Sequence, residues 1–247
     1  MKQVIRPCLP SNVANYIAKQ QLKLDQDMAE GPVDIEKRWK TRRQTKTVEK
    51  ALKALQAAVG KTEPCMYCVD NHGTDIEHFW PKREYTDRVF SWGNWLLCCT
   101  ECGRIKGSQF PLDQEQQPLL IDPTVENPWA FMDFEPETGN LVARFDIKSL
   151  VWMIKGEETV RVLQLSSREA LSNRYKITYR RLCLAAQTIL ETPSMPAAEA
   201  AKQIGAADEH GQLLSWCLQG AGQMQAPFAQ LRSDRSDVWA MCLDQLS

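Results

Sequence analysis

Cysteines are the residues of this chain whose spacing most directly indicates chemistry. Two C-x-x-C pairs are present, Cys65 with Cys68 and Cys99 with Cys102. Four thiolates arranged in two such pairs can hold a zinc ion tetrahedrally, with Zn–S distances of about 2.3 Å. A redox-active pair is the alternative, but Pro64 before the first pair and Asn71 to Gly73 after it predict a turn, not the strand and helix of a redox motif. We predict a structural zinc site and interpret Cys98 as a core residue.

Between the two pairs lies a carboxylate–histidine dyad, Glu77–His78, in the segment DIEHF, whose alternation is typical of a strand. Asn94 follows, and the second cysteine pair opens CTECGRIKG, which we expect to form a helix. This order of residues resembles the HNH endonucleases. The resemblance implies a ββα-metal fold, in which a two-stranded hairpin carries the histidine, packs on a helix and is stapled by a zinc knuckle.

The resemblance also implies a role for each residue of the motif. His78 would be the general base, Glu77 would hold a catalytic Mg²⁺ or Mn²⁺, and Asn94 would fix the loop that holds the histidine. These residue types suit phosphodiester hydrolysis. A histidine of near-neutral pKa can deprotonate water, and a divalent ion on oxygen ligands can neutralise the charge of the transition state and of the leaving oxygen.

One position departs from the family pattern. Zinc-knuckle HNH enzymes usually read C-x-x-C-N-x-x-K-G, and that asparagine is a metal ligand, but this chain has Gly103 there. An extra water or another carboxylate would have to replace it; the candidates are Asp75, Glu101 and Asp70. A catalytically degenerate zinc-knuckle subunit that binds nucleic acid or a partner is therefore an open alternative.

The resemblance extends beyond the motif, over residues 1–185 and most strongly over 65–140. In this range the chain is similar to the PtuB family, the HNH subunits of Septu-type antiphage systems, which also occur in some retron operons. That resemblance implies a defence effector that works with an ATPase partner of the PtuA kind. This chain has no G-x-x-x-x-G-K-[ST] segment, so ATP binding would belong to the partner.

Composition limits the other possibilities. The chain has 247 residues, a net charge of −1 and 43% hydrophobic residues, as in an ordinary globular protein. Nine unevenly spaced cysteines do not suggest a secreted disulfide framework. Neither a signal peptide nor an apolar span is apparent, so we expect a cytoplasmic protein.

Positive charge is concentrated locally, in residues 37–53 and 168–181. Such stretches can contact the phosphates of nucleic acid or can be ordinary solvated helix faces. An acidic protein partner is a further possibility. Arg104 and Lys106 in the motif helix, and Lys82 more weakly, are candidate nucleic-acid contacts.

The predicted class is α+β, with a zinc-stapled ββα-metal core flanked by helices. We divide the chain into a helical region (1–62), the nuclease core (63–112), a mixed strand and loop extension (113–165) and a C-terminal helical region (166–247). Predicted helices are 11–29, 34–59 and 166–191, and predicted strands are 118–124 and 140–147.

Two other kinds of zinc protein are alternatives. A zinc-ribbon binding module would need the cysteine pairs but not the Glu–His dyad or Asn94. A zinc deaminase would need H-x-E before P-C-x-x-C, whereas here Glu77 directly precedes His78.

Overall fold

The centre of the molecule is a β-hairpin followed by a short helix. The computed structural model describes residues 1–246. Strand β1 (Asp75–His78) pairs antiparallel with β2 (Trp95–Cys98), and the register sets Glu77 opposite Leu96. Helix α4 (Thr100–Lys106) begins directly after β2, where Cys99 is the N-cap residue. The predicted strand around the Glu–His dyad and the predicted motif helix are both present.

Three helices precede this unit: α1 (Ser11–Glu30), α2 (Ile35–Arg43) and α3 (Lys46–Val59). Asp34 caps α2 by accepting a hydrogen bond from the backbone N–H of Lys37, as its position predicts. The prediction of one helix over 34–59 is wrong. Thr45 is extended and accepts a hydrogen bond from the N–H of Val48, so it starts a new helix.

The extension after α4 contains two small hairpins. Strand β3 (Met132–Glu135) pairs with β4 (Asn140–Ala143) across a turn at Gly139, whose φ is 79°. Strand β5 (Phe145–Asp146) pairs with β6 (Val151–Trp152), and α5 (Ile154–Leu163) follows. The strand predicted over 140–147 is therefore two strands with different partners, and β3 was not predicted.

The strand predicted over 118–124 is absent from the structure. Side chains take the place of a neighbouring strand there: Ile121 donates its N–H to Oγ1 of Thr159 at 3.0 Å, and Asp122 accepts from the N–H of Thr124 at 2.9 Å. Prolines 118 and 123 also lack the N–H that a ladder needs. The apolar side chains Leu120 and Ile121 are buried all the same.

The C-terminal part is helical, as predicted. Its helices are α6 (Glu169–Glu191), α7 (Ala197–Ala207), α8 (Gln212–Gln219), α9 (Phe228–Asp234) and α10 (Ser236–Asp244). Its apolar residues form a core, since Trp216, Phe228 and Leu231 are fully buried. The α+β class is confirmed. Within residues 1–246, the helices are all too short or too polar to cross a lipid bilayer.

Candidate functional site

The four predicted zinc ligands come together in the interior. The Sγ atoms of Cys65, Cys68, Cys99 and Cys102 all lie within 4.8 Å of one another, and all four residues are buried. Two of them, on Cys68 and Cys99, are 3.9 Å apart. A tetrahedral zinc with Zn–S bonds of about 2.3 Å requires sulfurs about 3.8 Å apart, so this donor set fits zinc. The cluster ties the loop before β1 to the start of α4.

Polar groups from the C-terminal region surround the cysteine cluster. Arg168, at the start of α6, donates to Sγ of Cys102 at 3.3 Å and forms an ion pair with Glu101. Tyr175, two turns further along, donates its hydroxyl to the carbonyl of Cys68. The sequence analysis did not assign these two residues. The basic stretch 168–181 was the available signal, but it suggested a charged surface and not support for a metal site.

His78 is held in one tautomer. Its Nε2 lies 2.9 Å from the carbonyl oxygen of Val89, and because a carbonyl can only accept, Nε2 carries the proton and Nδ1 is left as the acceptor. The indole of Trp95 donates to the same carbonyl at 2.8 Å. Burial lowers the pKa of His78 to about 3, outweighing the hydrogen bond to Val89, which raises it. The imidazole is therefore neutral near pH 7, and its pKa lies well below the near-neutral value that we expected of a general base.

Asn94 connects the end of β1 to the loop that follows it. Its Oδ1 accepts from the N–H of Trp80 at 2.7 Å, and its Nδ2 donates to the carbonyls of Trp80 and Arg88, each at 3.0 Å. This loop also contains Val89, which orients His78. The side chain of Asn94 is thus fully engaged with backbone, in the arrangement expected of a residue that fixes the loop.

Glu77 and Lys106 form a buried ion pair. The ammonium of Lys106 lies 2.8 Å from Oε1 of Glu77 and donates to the carbonyl of His78 at 2.9 Å. Burial raises the pKa of Glu77, against the opposing effect of Lys106. Lys106 is completely buried, so our expectation that it reaches a phosphate does not fit its position. It supports the strand that carries the dyad.

The second carboxylate oxygen of Glu77 faces the position of the missing asparagine. A side chain built on Gly103 would place its Cβ 3.6 Å from Oε2 of Glu77, so the glycine leaves open space beside this oxygen. Of the three carboxylates considered as replacements, Asp75 lies on the same strand face and lines the same cavity as Glu77. Each of the three is paired with an arginine, Asp75 with Arg43, Asp70 with Arg174 and Glu101 with Arg168, and Asp70 and Glu101 do not line the cavity.

An open cavity of about 1010 Å³ gives access to the dyad. Its lining includes Asp75, Glu77, His78 and Gly103 on one side and residues of α2 on another. Lys82 also lines it, with its ammonium 3.2 Å from Glu36. Arg104 is exposed but does not line the cavity.

Comparison with known proteins agrees with the similarity inferred from the sequence. No family model matches the chain. The chain is 28% identical over 130 residues to "Septu protein PtuB" of Bacillus thuringiensis. The match covers 51% of this chain and 43% of that protein, so it spans less than half of the relative's length. The predicted resemblance to PtuB is confirmed.

Proposed function

We propose that this chain is a metal-dependent HNH endonuclease that hydrolyses phosphodiester bonds of nucleic acid. The observation that carries the proposal is the geometry of His78: Nε2 is committed to the Val89 carbonyl, which leaves Nδ1 as the acceptor, and the residue lines an open cavity together with Glu77. The hairpin β1–β2 with α4 would be the ββα-metal unit of the family.

In this mechanism His78 is the general base. Its Nδ1 takes a proton from a water molecule, whose oxygen then forms a bond to phosphorus as the bond to the leaving oxygen of the backbone breaks. Nε2 keeps its hydrogen bond to Val89, so the imidazolium is held in place while it carries the second proton. Asn94 acts indirectly by fixing the loop that contains Val89.

Carboxylate oxygens would hold the catalytic ion. Mg²⁺ or Mn²⁺, when held there, would supply positive charge against the phosphoryl group and the leaving oxygen. Glu77 would offer Oε2, because its Oε1 is paired with Lys106. Asp75, two residues earlier on β1 and in the same cavity, would supply the oxygen that the family's asparagine supplies elsewhere. The four-cysteine cluster would hold zinc in a structural role.

The biological setting follows from the relative. Since part of the chain is similar to a Septu protein PtuB, we propose that it is the effector nuclease of an antiphage complex and that it acts with a PtuA-like ATPase. DNA is the first substrate to test, and RNA is the second. The alternative is a subunit of the same complex that has kept the fold and lost catalytic activity. Gly103, in place of a metal ligand, and the pairing of Lys106 with Glu77 would favour this alternative.

Cleavage by the chain co-purified with its ATPase partner tests the proposal. Supercoiled plasmid and total RNA are incubated with wild-type and His78→Ala complexes of equal zinc content, in Mg²⁺, in Mn²⁺ and in EDTA. We expect cutting of one nucleic acid by the wild type only, and only with a divalent ion. If neither complex cuts although both are assembled and zinc-loaded, the chain is a binding subunit and not a nuclease.

A further inference from the structure

Helix α2, which lies outside the predicted nuclease core, forms a wall of the cavity that contains His78. Trp39 anchors the helix: it is buried, and its ring lies edge-on against the His78 ring with 4.5 Å between centroids. Trp39 also packs against Trp95, at 5.3 Å. These contacts hold α2 at a fixed distance from the proposed general base.

Most of the charged α2 residues that line the cavity are basic, and the one acid among them, Glu36, is paired with Lys82 and Arg83. Lys37, Lys40 and Arg43 are exposed, and all three line the cavity. They follow one another at intervals of three residues, which places neighbours on adjoining turns, about 4.5 Å apart along the helix axis. We refer to Lys37, Lys40 and Arg43 as the α2 stripe.

The two lysines of the stripe are not neutralised by the protein. Arg43 is paired with Asp75 at 2.9 Å, and Arg38, on another side of the helix, is paired with Asp27. Within residues 1–246, neither Lys37 nor Lys40 has a carboxylate within ion-pair distance. Their charge therefore acts on whatever enters the cavity, where it is screened mainly by water and salt.

We infer that the α2 stripe binds the sugar–phosphate backbone of a nucleic-acid strand and positions it for attack near His78. The choice of ligand rests on the proposed function, because a phosphodiester must enter this cavity to react. An acidic protein bound to the same lysines would instead cover the cavity and exclude the substrate. Phosphate contacts of this kind fix the register of a strand without reading its sequence.

Binding measured without cleavage tests this inference. The full-length, zinc-loaded chain carries His78→Ala and is kept free of Mg²⁺ and Mn²⁺ without a chelator, so that the structural zinc is retained. Fluorescence anisotropy reports its affinity for labelled single-stranded DNA, duplex DNA and RNA from low to high salt. Lys37→Gln/Lys40→Gln is compared with Lys19→Gln/Lys23→Gln. The control pair lies on α1, is exposed and does not line the cavity, and it changes the net charge equally.

Each phosphate contact contributes about 0.9 to the slope of log affinity against log salt on duplex DNA, and about 0.7 on a single strand. The stripe variant should therefore lower the slope by about 1.4 to 1.8, and the control should leave it unchanged. Equal slopes for the two double variants would overturn the inference, and so would an absence of binding to all three nucleic acids. If the stripe variant lowers the slope but the chain never cuts nucleic acid, the stripe inference stands and the proposed nuclease function is wrong. If the chain cuts normally and the slope is unchanged, the proposed function stands and the stripe inference is wrong.

Discussion

At the scale of single residues, the position of His78 determines both its tautomer and its charge. The Val89 carbonyl accepts a hydrogen bond from Nε2–H, and burial keeps the ring neutral. The sequence predicted that a histidine would follow a carboxylate on a strand, because alternation and residue type are local properties. It could not predict the carbonyl partner, since Val89 lies beyond a loop whose path depends on Asn94.

The depressed pKa of His78 makes a prediction about stability and pH. An unfolded histidine takes up a proton near pH 6.5, whereas folded His78 does so only near pH 3. Between these values the unfolded state holds more protons, so the contribution of His78 is complete above pH 6.5 and is lost as the pH falls. The free energy of unfolding of the wild type should then decrease by up to about 1.4 kcal/mol per pH unit more than that of His78→Gln. Urea unfolding between pH 5 and 6.5 measures this difference, and parallel curves would show that His78 is not buried as described.

The Lys106–Glu77 ion pair makes a second prediction at this scale. Lys106→Met leaves the part-buried carboxylate of Glu77, 20% exposed, without its partner and should cost about 1 to 3 kcal/mol of stability. Adding Glu77→Gln removes the unpaired charge, so the double variant should recover part of the loss. Chemical denaturation of the wild type, both single variants and the double variant measures this coupling. Additive losses would mean that the two side chains do not interact.

At the scale of elements, local patterns predicted the hairpin strand, the motif helix and the apolar stripes of α1 and α3, because each reflects the period of one element. The break between α2 and α3 was missed because only the Thr45 cap separates them. Strand β3 was not predicted. It pairs with β4 in a small hairpin, where a turn and not a local pattern places Phe134 opposite Leu141. Lys106 was expected to contact nucleic acid, but tertiary packing directs its ammonium to the carbonyl of His78.

The cysteine cluster links the loop before β1 to α4, so zinc should be required for the order of both. We expect one zinc per chain in the wild type and in Cys98→Ser, whose cysteine is buried but outside the cluster. Cys65→Ser should lose the zinc and become sensitive to proteolysis near the hairpin, because binding energy at a structural zinc site is folding energy. Elemental analysis of the purified proteins, followed by limited proteolysis, decides between the outcomes. Equal zinc in Cys65→Ser and Cys98→Ser would contradict the assignment.

At the scale of the whole molecule, helices from both ends of the chain complete the central unit. From the N-terminal side, α2 supplies Trp39 against His78 and the α2 stripe along the cavity. From the C-terminal side, α6 supplies Arg168 and Tyr175 around the cysteine cluster. We therefore expect a fragment of residues 63–112 to be insufficient for activity, since it lacks the ring that packs on His78 and the groups that hold the zinc ligands.

The proposed role of His78 as the general base of a metal-dependent nuclease can be tested directly. The most direct measurement is the single-turnover rate of nucleic-acid cleavage by the partner-bound chain, for wild type, His78→Ala and His210→Ala, each with matched zinc content. His210 is a suitable control because it does not line the cavity; its Nδ1 lies 2.8 Å from Oγ1 of Thr62. We predict that His78→Ala slows cleavage by about 10² to 10⁴-fold and that His210→Ala cleaves at the wild-type rate. Equal rates for all three proteins would contradict the assignment of the site.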